Sequence, residues 1–282
     1  MEKPAVLFVV ATPIGNLGDL SHRAAQVLAA VDTIAAEDTR RCRQLLSHLG
    51  ISRPVVAYHD HSDARRLEYV LQLLRDGSSV ALVSDAGTPA INDPGFELVR
   101  AALQAGYEVR PIPGPSAPLA ALAASGLPTD AFLYLGYLPR KTTERRNFLD
   151  EVKDHPYTLI LLESPHRLLA ALGDMHITLG DRRIAIAREL TKLHEQIWRG
   201  TLQEAQRYFT SIEPRGEFTL VVAGKPPQQD NFWSEEQVMV AVKLGLKLGE
   251  APSTLAKRLA EESGWNRKEL YSIIMENKQN QS

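Results

Sequence analysis

The fold is decided by three loop sequences, Thr12-Pro13-Ile14-Gly15-Asn16-Leu17-Gly18-Asp19, Ser84-Asp85-Ala86-Gly87-Thr88-Pro89 and Pro111-Ile112-Pro113-Gly114-Pro115-Ser116. Each follows a short apolar run, at residues 5–10, 79–83 and 107–109. Short runs of β-branched and aliphatic residues are typical of strands in a buried parallel sheet. The carboxyl ends of such strands line the ligand crevice of an open α/β sheet. We therefore predict one small-molecule site shared by the three loops, in which a side chain at Gly87 or Gly114 would fill ligand space.

The first loop differs from the common nucleotide-binding loops. It lacks the Gly-Lys-Ser/Thr ending of a P-loop, which argues against ATP hydrolysis, and Gly15-x-x-Gly18 is a weak match to the dinucleotide fingerprint. The acidic pair Glu37-Asp38 ends the second apolar run, at about the distance of 20 residues expected for a ribose-binding acid. A dinucleotide site and a set of simple tight turns both stay open on these residues alone.

Length and composition narrow the class of protein. The 282 residues suffice for two domains with a small appendage. The formal net charge is -2, so any nucleic-acid site must be a local one. Cys42 is the single cysteine, which excludes an intrachain disulfide and favours a reducing compartment. No metal-ligand spacing occurs, and no apolar run reaches the roughly 18 residues that span a bilayer. We expect a cytoplasmic protein without a metal site.

Strand and helix patterns alternate along the chain, which predicts α/β architecture. In the first part we predict a second strand at 31–36 and helices at 21–30, 39–49, 62–75, 96–105 and 116–125. In the second part we predict a helix at 168–179 and strands at 132–137, 158–162, 184–187 and 217–223. The predicted domains are an N-terminal α/β domain at 1–115, a C-terminal α/β domain at 116–226 and a helical appendage at 231–282.

The appendage follows a proline- and glutamine-rich linker at 225–230. We predict helices at 234–248, 251–262 and 267–277, the last with Asn266 as its N-cap. The second and third are separated by a short turn, which has the outline of a helix-turn-helix. Because acidic and basic residues nearly balance here, a nucleic-acid contact and a helical docking element are both compatible with the sequence.

Seven sequence segments occur in order along the chain: 11–19, Ala35-Ala36-Glu37-Asp38-Thr39-Arg40, 84–89, Pro113-Gly114-Pro115-Ser116, Glu163-Ser164-Pro165-His166-Arg167, Arg188-Glu189-Leu190-Thr191-Lys192 and Gly216-Glu217-Phe218. They resemble the successive motifs of the tetrapyrrole methylase superfamily and, within it, of the family that methylates small-subunit ribosomal RNA.

The resemblance implies a particular cofactor and reaction. It implies S-adenosylmethionine bound in a cleft between two α/β domains, a homodimer, and 2′-O-methylation of cytidine 1402 in 16S ribosomal RNA. The 30S subunit and the free RNA both stay open as the substrate. The C-terminal helices resemble the family's helix-turn-helix appendage. The residues expected at the cofactor come from the three loops: Pro13, Gly15, Asp85, Ala86, Gly87, Thr88, Pro113, Gly114 and Ser116.

Methyl transfer to a ribose hydroxyl requires a route for the hydroxyl proton. A general base, or a cation that stabilises the developing alkoxide, supplies it. The candidates lie in the motif segments at predicted strand ends, with Glu189 slightly favoured as the base: Glu37, Asp38, Glu163, Glu189, Arg188 and Lys192. The alternative role for each is membership of an ion-pair network that braces the cleft.

Local basic clusters are the candidates for binding RNA phosphates. The best of them is a predicted loop after Pro139, which contributes Arg140, Lys141, Arg145 and Arg146, and Arg40 belongs to a second cluster. Tyr58 and Tyr137 are candidates to stack on a base, or to lie in the core. Two other functions stay open, a tetrapyrrole C-methyltransferase and a non-catalytic RNA-binding assembly factor.

Overall fold

The computed structural model describes residues 5–59, 64–226 and 233–279. The chain divides into two compact units, Met1–Lys225 and Pro226–Ser282. The first unit contains two five-stranded sheets, and the second contains three helices. The boundary between the two predicted α/β domains stays a prediction. Most of the predicted linker, and the start of the predicted helix at 62–75, lie outside the described residues.

The first sheet is entirely parallel and has the strand order β3-β2-β4-β1-β5. Its strands are β1 (Val6–Val10), β2 (Thr33–Ala36), β3 (Val55–Ala57), β4 (Val80–Val83) and β5 (Glu108–Ile112). The three loops that decided the fold follow β1, β4 and β5, which are neighbours in the sheet. The prediction that these loops meet at one edge is therefore confirmed. The sequence analysis missed β3, which is only three residues long.

Helices connect these strands. They are α1 (His22–Ala30), α2 (Thr39–His48), α3 (Ala64–Arg75) and α4 (Phe96–Gln104). Ser21 caps α1 by accepting a hydrogen bond from the Ala24 backbone N–H, and Asp38 caps α2 by accepting from Arg40 N–H at 2.7 Å. The caps satisfy backbone donors that have no partner inside the helix.

The second sheet is mixed and has the strand order β6-β7-β10-β8-β9. Its strands are β6 (Phe132–Tyr137), β7 (Thr158–Glu163), β8 (Arg183–Arg188), β9 (Gln196–Thr201) and β10 (Phe218–Val222). β6 runs parallel to β7, whereas β10 runs antiparallel to both β7 and β8. The amino end of β10 therefore lies at the same edge as the carboxyl ends of β7 and β8, with Phe218 opposite Glu163 and Arg188.

Helices cover both faces of the second sheet. One face packs against α6 (Thr142–Val152), α7 (Leu168–Leu179) and α8 (Leu202–Ser211). The other packs against α5 (Ala117–Ser125), whose Ala121 and Leu122 contact apolar residues of the sheet. The sequence analysis missed α6, α8 and β9, and it was wrong to describe 140–146 as a loop, because α6 begins at Thr142.

The second compact unit consists of α9 (Glu235–Lys247), α10 (Pro252–Ser263) and α11 (Arg267–Gln279). Its core is formed mainly by aliphatic residues of all three helices, with Trp233 and Trp265 packed against it. Asn266 accepts a hydrogen bond from the Lys268 backbone N–H at 2.8 Å, which confirms the predicted cap. The role of this unit in binding stays a prediction.

Two further structural features concern only residues 5–59, 64–226 and 233–279. No helix there combines the length and hydropathy that a membrane span needs. No group of three or more His, Cys, Asp or Glu side chains there has an arrangement that could hold a metal ion.

Candidate functional site

A cavity of about 240 Å³ lies where the loops of the first sheet meet the edge of the second. The first sheet contributes residues from the loops after β1, β2, β4 and β5, and the second contributes β6, β7, β8, β10 and the turn after β8. The predicted site residues that line it are Glu37, Asp85, Ala86, Gly87, Thr88 and Ser116. The three loops thus contribute to one cavity, as the sequence predicted.

Two acids of the cavity lining tie neighbouring loops together. The Asp85 backbone N–H donates to Glu37 Oε2 at 3.2 Å, and Asp85 Oδ1 accepts from the Asp38 N–H at 3.0 Å. Arg41 Nη1 lies 3.1 Å from Asp85 Oδ2. Asp85 therefore joins the end of β4 to the start of α2, and its carboxylate is already paired with a cation.

Asp38 serves as a helix cap and pairs with Arg40. The hydrogen bonds from the Arg40 side chain and backbone hold the pKa of Asp38 at about 2, well below its usual value. Arg40 itself is exposed, with Nη2 2.9 Å from Asp38 Oδ2. A carboxylate with so low a pKa is a weak base, which argues against the predicted role of Asp38 as proton acceptor.

The loop glycines have structural as well as possible ligand-binding roles. Gly87 has a φ of 80° and exchanges two backbone hydrogen bonds with Thr12, at 2.8 and 3.0 Å. A side-chain carbon at Gly114 would lie 2.9 Å from Ala11 Cβ, against the end of β1. The expectation that a Gly114 side chain would fill ligand space is therefore wrong, because it would first collide with the neighbouring strand.

Gly15 and Pro13 lie beside the cavity. A side-chain carbon at Gly15 would lie 2.5 Å from Lys192 Cγ and 2.9 Å from Thr191 Oγ1. Only a glycine allows this close approach between the loop after β1 and the turn after β8. Pro13 lines a neighbouring cavity of about 250 Å³, which shares Arg41 and Asp85 with the first.

The amino end of α5 forms another part of the wall. Ser116 is the N-cap residue of α5, and its side chain makes no capping hydrogen bond. Ser116, Ala117 and Pro118 all line the cavity. At the other end of α5, the Arg199 Nε donates to the Ser125 carbonyl at 3.2 Å. In the first turn, Ala117 and Leu119 carry backbone N–H groups and Pro118 carries none. These N–H groups offer a site of partial positive charge for an anionic group.

The second sheet contributes a lysine held between two glutamates. Lys192 Nζ donates to Glu189 Oε1 at 2.9 Å and to Glu217 Oε2 at 3.0 Å. Glu189 Oε1 also accepts from the Glu217 backbone N–H at 2.9 Å. Of the three residues, Glu217 lines the cavity, and its side chain is 81% exposed. Arg188 Nε donates to the Arg215 carbonyl at 2.6 Å and so fixes the loop before Glu217.

This cluster is built on strained backbone. Glu189 and Thr191 have positive φ values of 50° and 65°, which side-chain-bearing residues rarely adopt. Burial alone would raise the pKa of Glu189, but the hydrogen bonds from Lys192 and Glu217 lower it below the usual value. Burial alone would lower the pKa of Lys192, but Glu189 and Glu217 raise it. At neutral pH the lysine is therefore an ammonium ion.

Glu163 is buried at the end of β7, with a side chain that is 0% exposed. Its Oε1 accepts from the Ser164 N–H at 2.8 Å and lies 3.5 Å from Arg167 Nε. Glu163 thus orders the turn into α7, which fits the bracing role that the sequence analysis left open.

Two tyrosines of β6 and an aspartate face the cavity from its outer side. Tyr134, Tyr137 and Asp93 all line it. Burial, together with the Asp93 carboxylate, raises the pKa of Tyr134 to about 12. Tyr137 is 52% exposed and available for stacking, whereas Tyr58 is buried in the core of the first sheet. Of the two stacking candidates, only Tyr137 lies at the site.

The basic segment after β6 is divided by α6. Arg140 and Lys141 are exposed, and Lys141 pairs with Glu144. Arg145 is buried, with a side chain that is 4% exposed, and its Nε donates to Asp174 Oδ2 at 2.7 Å. Arg146 pairs with the other oxygen of Asp174. The prediction that Arg145 lies in an exposed loop is therefore wrong, since its charge is satisfied inside the protein.

Three residues of the cavity lining were not predicted as site residues from the sequence: Glu217, Asp93 and Tyr134. Glu217 belongs to one of the seven motifs, but it comes at the start of a predicted strand, whereas the candidate residues were expected at strand ends. Because β10 is antiparallel to its neighbours, its beginning lies at the functional edge. The motif Gly216-Glu217-Phe218 could have indicated this residue, but the sequence did not reveal the direction of β10.

The lining suits a small ligand that carries both charges and an apolar part. Carboxylates of the lining favour a cationic group, and the amino end of α5 favours a carboxylate. Apolar contacts come from Ile14, Ile91, Leu162, Leu190 and Phe218. On the side of the second sheet, the Glu217 carboxylate lines the cavity and is hydrogen-bonded to the Lys192 ammonium. Such a pair can accept a proton or stabilise an oxyanion.

Solved structures share this fold. Cobalt precorrin-4 methyltransferase aligns with a TM-score of 0.57 at 18% identity, covering 78% of this chain and 94% of that one. Diphthine synthase aligns with a TM-score of 0.62 at 16% identity, covering 78% and 90%. At such low identity these similarities establish the fold alone.

Sequence comparison identifies the family. The family model described as Tetrapyrrole (Corrin/Porphyrin) Methylases matches residues 6–206. A protein of Synechocystis named ribosomal RNA small subunit methyltransferase I is 48% identical over 272 residues, covering 96% of this chain and 98% of its own length. The protein of that name from Escherichia coli O157:H7 is 44% identical over 274 residues, covering 96% and 94%. The chain belongs to the tetrapyrrole methylase family and, within it, to the family of ribosomal RNA small subunit methyltransferase I.

Proposed function

We propose that this protein transfers the methyl group of S-adenosylmethionine to the ribose 2′-hydroxyl of a cytidine in 16S ribosomal RNA, at cytidine 1402. The observation that carries the chemistry is the position of Glu217 in the wall of a cavity formed by both sheets, with Lys192 hydrogen-bonded to its carboxylate. The near full-length similarity to relatives named for ribosomal RNA supports the choice of substrate.

The first sheet provides the residues that would hold the cofactor. Asp85, Ala86, Gly87, Thr88 and Ser116 line the cavity, while Pro13, Gly15, Pro113 and Gly114 shape the loops around it. The carboxylates suit the cationic amino group and sulfonium of the donor, and the amino end of α5 suits its carboxylate. When bound, the cofactor supplies an activated methyl group.

The second sheet provides the groups that act on the acceptor. Lys192 would stabilise negative charge as it develops on the 2′-oxygen, and Arg188 would keep the loop before Glu217 in place. Glu189 orients Lys192 through the 2.9 Å hydrogen bond. Glu37, Asp38 and Glu163 act as braces in this proposal, because each carboxylate bonds to a neighbouring loop or helix end.

RNA would be bound by exposed basic residues near this edge. Arg40, Arg140, Lys141 and Arg146 are the candidates for phosphate contacts, with Tyr137 as a stacking surface. The 30S subunit as substrate, a homodimer and a cytoplasmic location complete the proposal. The C-terminal helices contribute to RNA or protein binding in it.

The test is a methyl-transfer assay with tritiated S-adenosylmethionine. Three acceptors are compared: 30S particles, free 16S ribosomal RNA and a porphyrinogen. We expect label in the RNA of the particles, and reverse transcription at low nucleotide concentration should stop beside the methylated ribose. Label in the porphyrinogen alone would identify a tetrapyrrole methyltransferase. Cofactor binding without transfer to any acceptor would favour a non-catalytic RNA-binding factor.

A further inference from the structure

The carboxylates around the cavity differ in the hydrogen bonds and ion pairs that they form with the rest of the protein. Asp85 bonds to the Asp38 N–H and pairs with Arg41, and Glu37 accepts from the Asp85 N–H. These two acids therefore already hold loops of the first sheet together. A group that accepts a proton from a substrate needs instead to reach that substrate.

Glu217 meets this requirement. Its side chain is 81% exposed at the cavity wall, and its Oε2 accepts a single described hydrogen bond, from Lys192 Nζ at 3.0 Å. Both backbone polar groups of Glu217 are hydrogen-bonded to Glu189. The Glu217 N–H donates to Glu189 Oε1 at 2.9 Å, and the Glu217 carbonyl accepts from the Glu189 N–H at 3.0 Å. The backbone is therefore held while the carboxylate faces the cavity.

Glu189 occupies the position behind Glu217. A side-chain carbon at Gly216, which has a φ of 88°, would lie 2.5 Å from the Glu189 side chain. Glu189 Oε1 accepts both the Lys192 ammonium and the Glu217 N–H. Because its carboxylate is hydrogen-bonded to Lys192 and to the Glu217 backbone, Glu189 is suited to positioning these two residues.

Resting on the proposed function, we infer that Glu217 is the general base of the reaction and that Glu189 is a positioning residue. The 2′-oxygen attacks the donor methyl carbon, and the carbon–sulfur bond breaks with its electron pair passing to sulfur. The 2′-hydroxyl proton passes to the Glu217 carboxylate, which later releases it to water. Lys192 stabilises the partial negative charge on the oxygen during the transfer.

The experiment measures single-turnover methylation of 30S particles at saturating cofactor and RNA. We expect Glu217→Gln to lower the rate constant by about 10²–10⁴-fold, the usual range for a general base. Glu217→Asp should recover part of the loss, because it restores a carboxylate. Glu213→Gln is the matched control, since Glu213 is an exposed acid of the same loop that pairs with Arg215.

The pH profile separates a base from a residue that only holds Lys192. Among the described residues, the titratable groups that face Glu217 are Lys192, Glu189 and Tyr137. The wild type and the Glu217→Gln variant both contain these three groups. The wild-type rate should fall on the acid side of the profile, and Glu217→Gln should lose this acid limb. The same limb in both proteins would overturn the inference.

The outcomes also separate this inference from the proposed function. A wild-type enzyme that methylates the RNA, combined with a Glu217→Gln loss of less than tenfold, overturns the role of Glu217 alone. Absence of transfer to RNA by the wild type overturns the proposed function and this inference with it.

Discussion

The two sheets around the cavity contribute in different ways. The parallel sheet provides loops whose acids are bonded locally, as Asp38 is with Arg40 and Asp85 with Arg41. The mixed sheet provides Lys192 and Glu217, which stand at the cavity edge on a strained turn and at the start of a strand. In the proposed function, the loops of the first sheet bind the cofactor and residues of the second sheet act on the acceptor.

Replacing Lys192 with methionine is the strongest test of this division. The substitution removes the ammonium ion and keeps most of the side-chain length. We expect single-turnover methylation to fall by about 10²–10³-fold, as for loss of one donor that stabilises an oxyanion. Cofactor affinity, measured by calorimetry, should stay near that of the wild type.

Lys225→Met is the matched control for that variant. Lys225 belongs to the same half of the first unit and pairs with the exposed Asp154. Its replacement should leave the rate unchanged. A Lys192→Met enzyme with weak cofactor binding and a normal rate at saturation would reverse the assignment of the two sheets.

The buried Arg145 tests whether the second half depends on an internal ion pair. Arg145→Ala should lower the free energy of unfolding in urea by about 3 kcal/mol, the lower end for a broken buried pair. The lower end applies because Arg146 still neutralises Asp174. The variant should bind RNA normally once folded.

Arg140→Ala is the comparison for Arg145→Ala. Arg140 is exposed, so its replacement should leave stability unchanged and reduce the salt dependence of RNA binding by about one unit of slope. If Arg145→Ala instead unfolded like the wild type and weakened RNA binding, the original sequence prediction for Arg145 would be restored.

The meeting of three loops at one edge of the first, parallel sheet could be predicted from the sequence, and the reason is physical. In a βαβ pattern every strand points the same way, so the loops at 12–19, 84–89 and 111–116 had to meet at one edge. Local patterns did not reveal the antiparallel direction of β10, and Glu217 was therefore missed. Arg145 was placed on the surface because its partner, Asp174, lies 29 residues away on another helix.

Gly15 offers a smaller test, at the point where the two halves touch. In Gly15→Ala the new methyl group would lie 2.5 Å from Lys192 Cγ, so the lysine side chain must shift. Misplacement of a catalytic group by about 1 Å can cost 10²-fold, and we expect a loss of about 10- to 100-fold in the single-turnover rate.

Gly18→Ala, in the same loop, is the control for Gly15→Ala. A side-chain carbon at Gly18 would meet only Asn16, at 3.2 Å from Oδ1. We expect its rate to stay within threefold of the wild type, an order-of-magnitude expectation for a substitution away from the reacting groups. Equal rates for Gly15→Ala and the wild type would show that the contact with Lys192 has no role in turnover.

Replacing Asp38 should have the smallest effect of these substitutions, and it tests the ion pair between Asp38 and Arg40. Its pKa is lowered from 3.8 to about 2 by Arg40, so its carboxylate stabilises the folded state above pH 4. That contribution should diminish as the pH falls from about 4 to about 2, where the folded state also takes up the proton. Thermal midpoints of the wild type and Asp38→Asn should therefore differ by a constant amount above pH 4 and converge below it. Because Asp38 and Arg40 are at the surface, added salt should reduce the difference at neutral pH. The contrary outcome is a difference between the two midpoints that persists unchanged at pH 2 or is insensitive to salt. Either result would mean that Asp38 stabilises α2 through its capping hydrogen bond alone, and that its ion pair with Arg40 contributes nothing to stability.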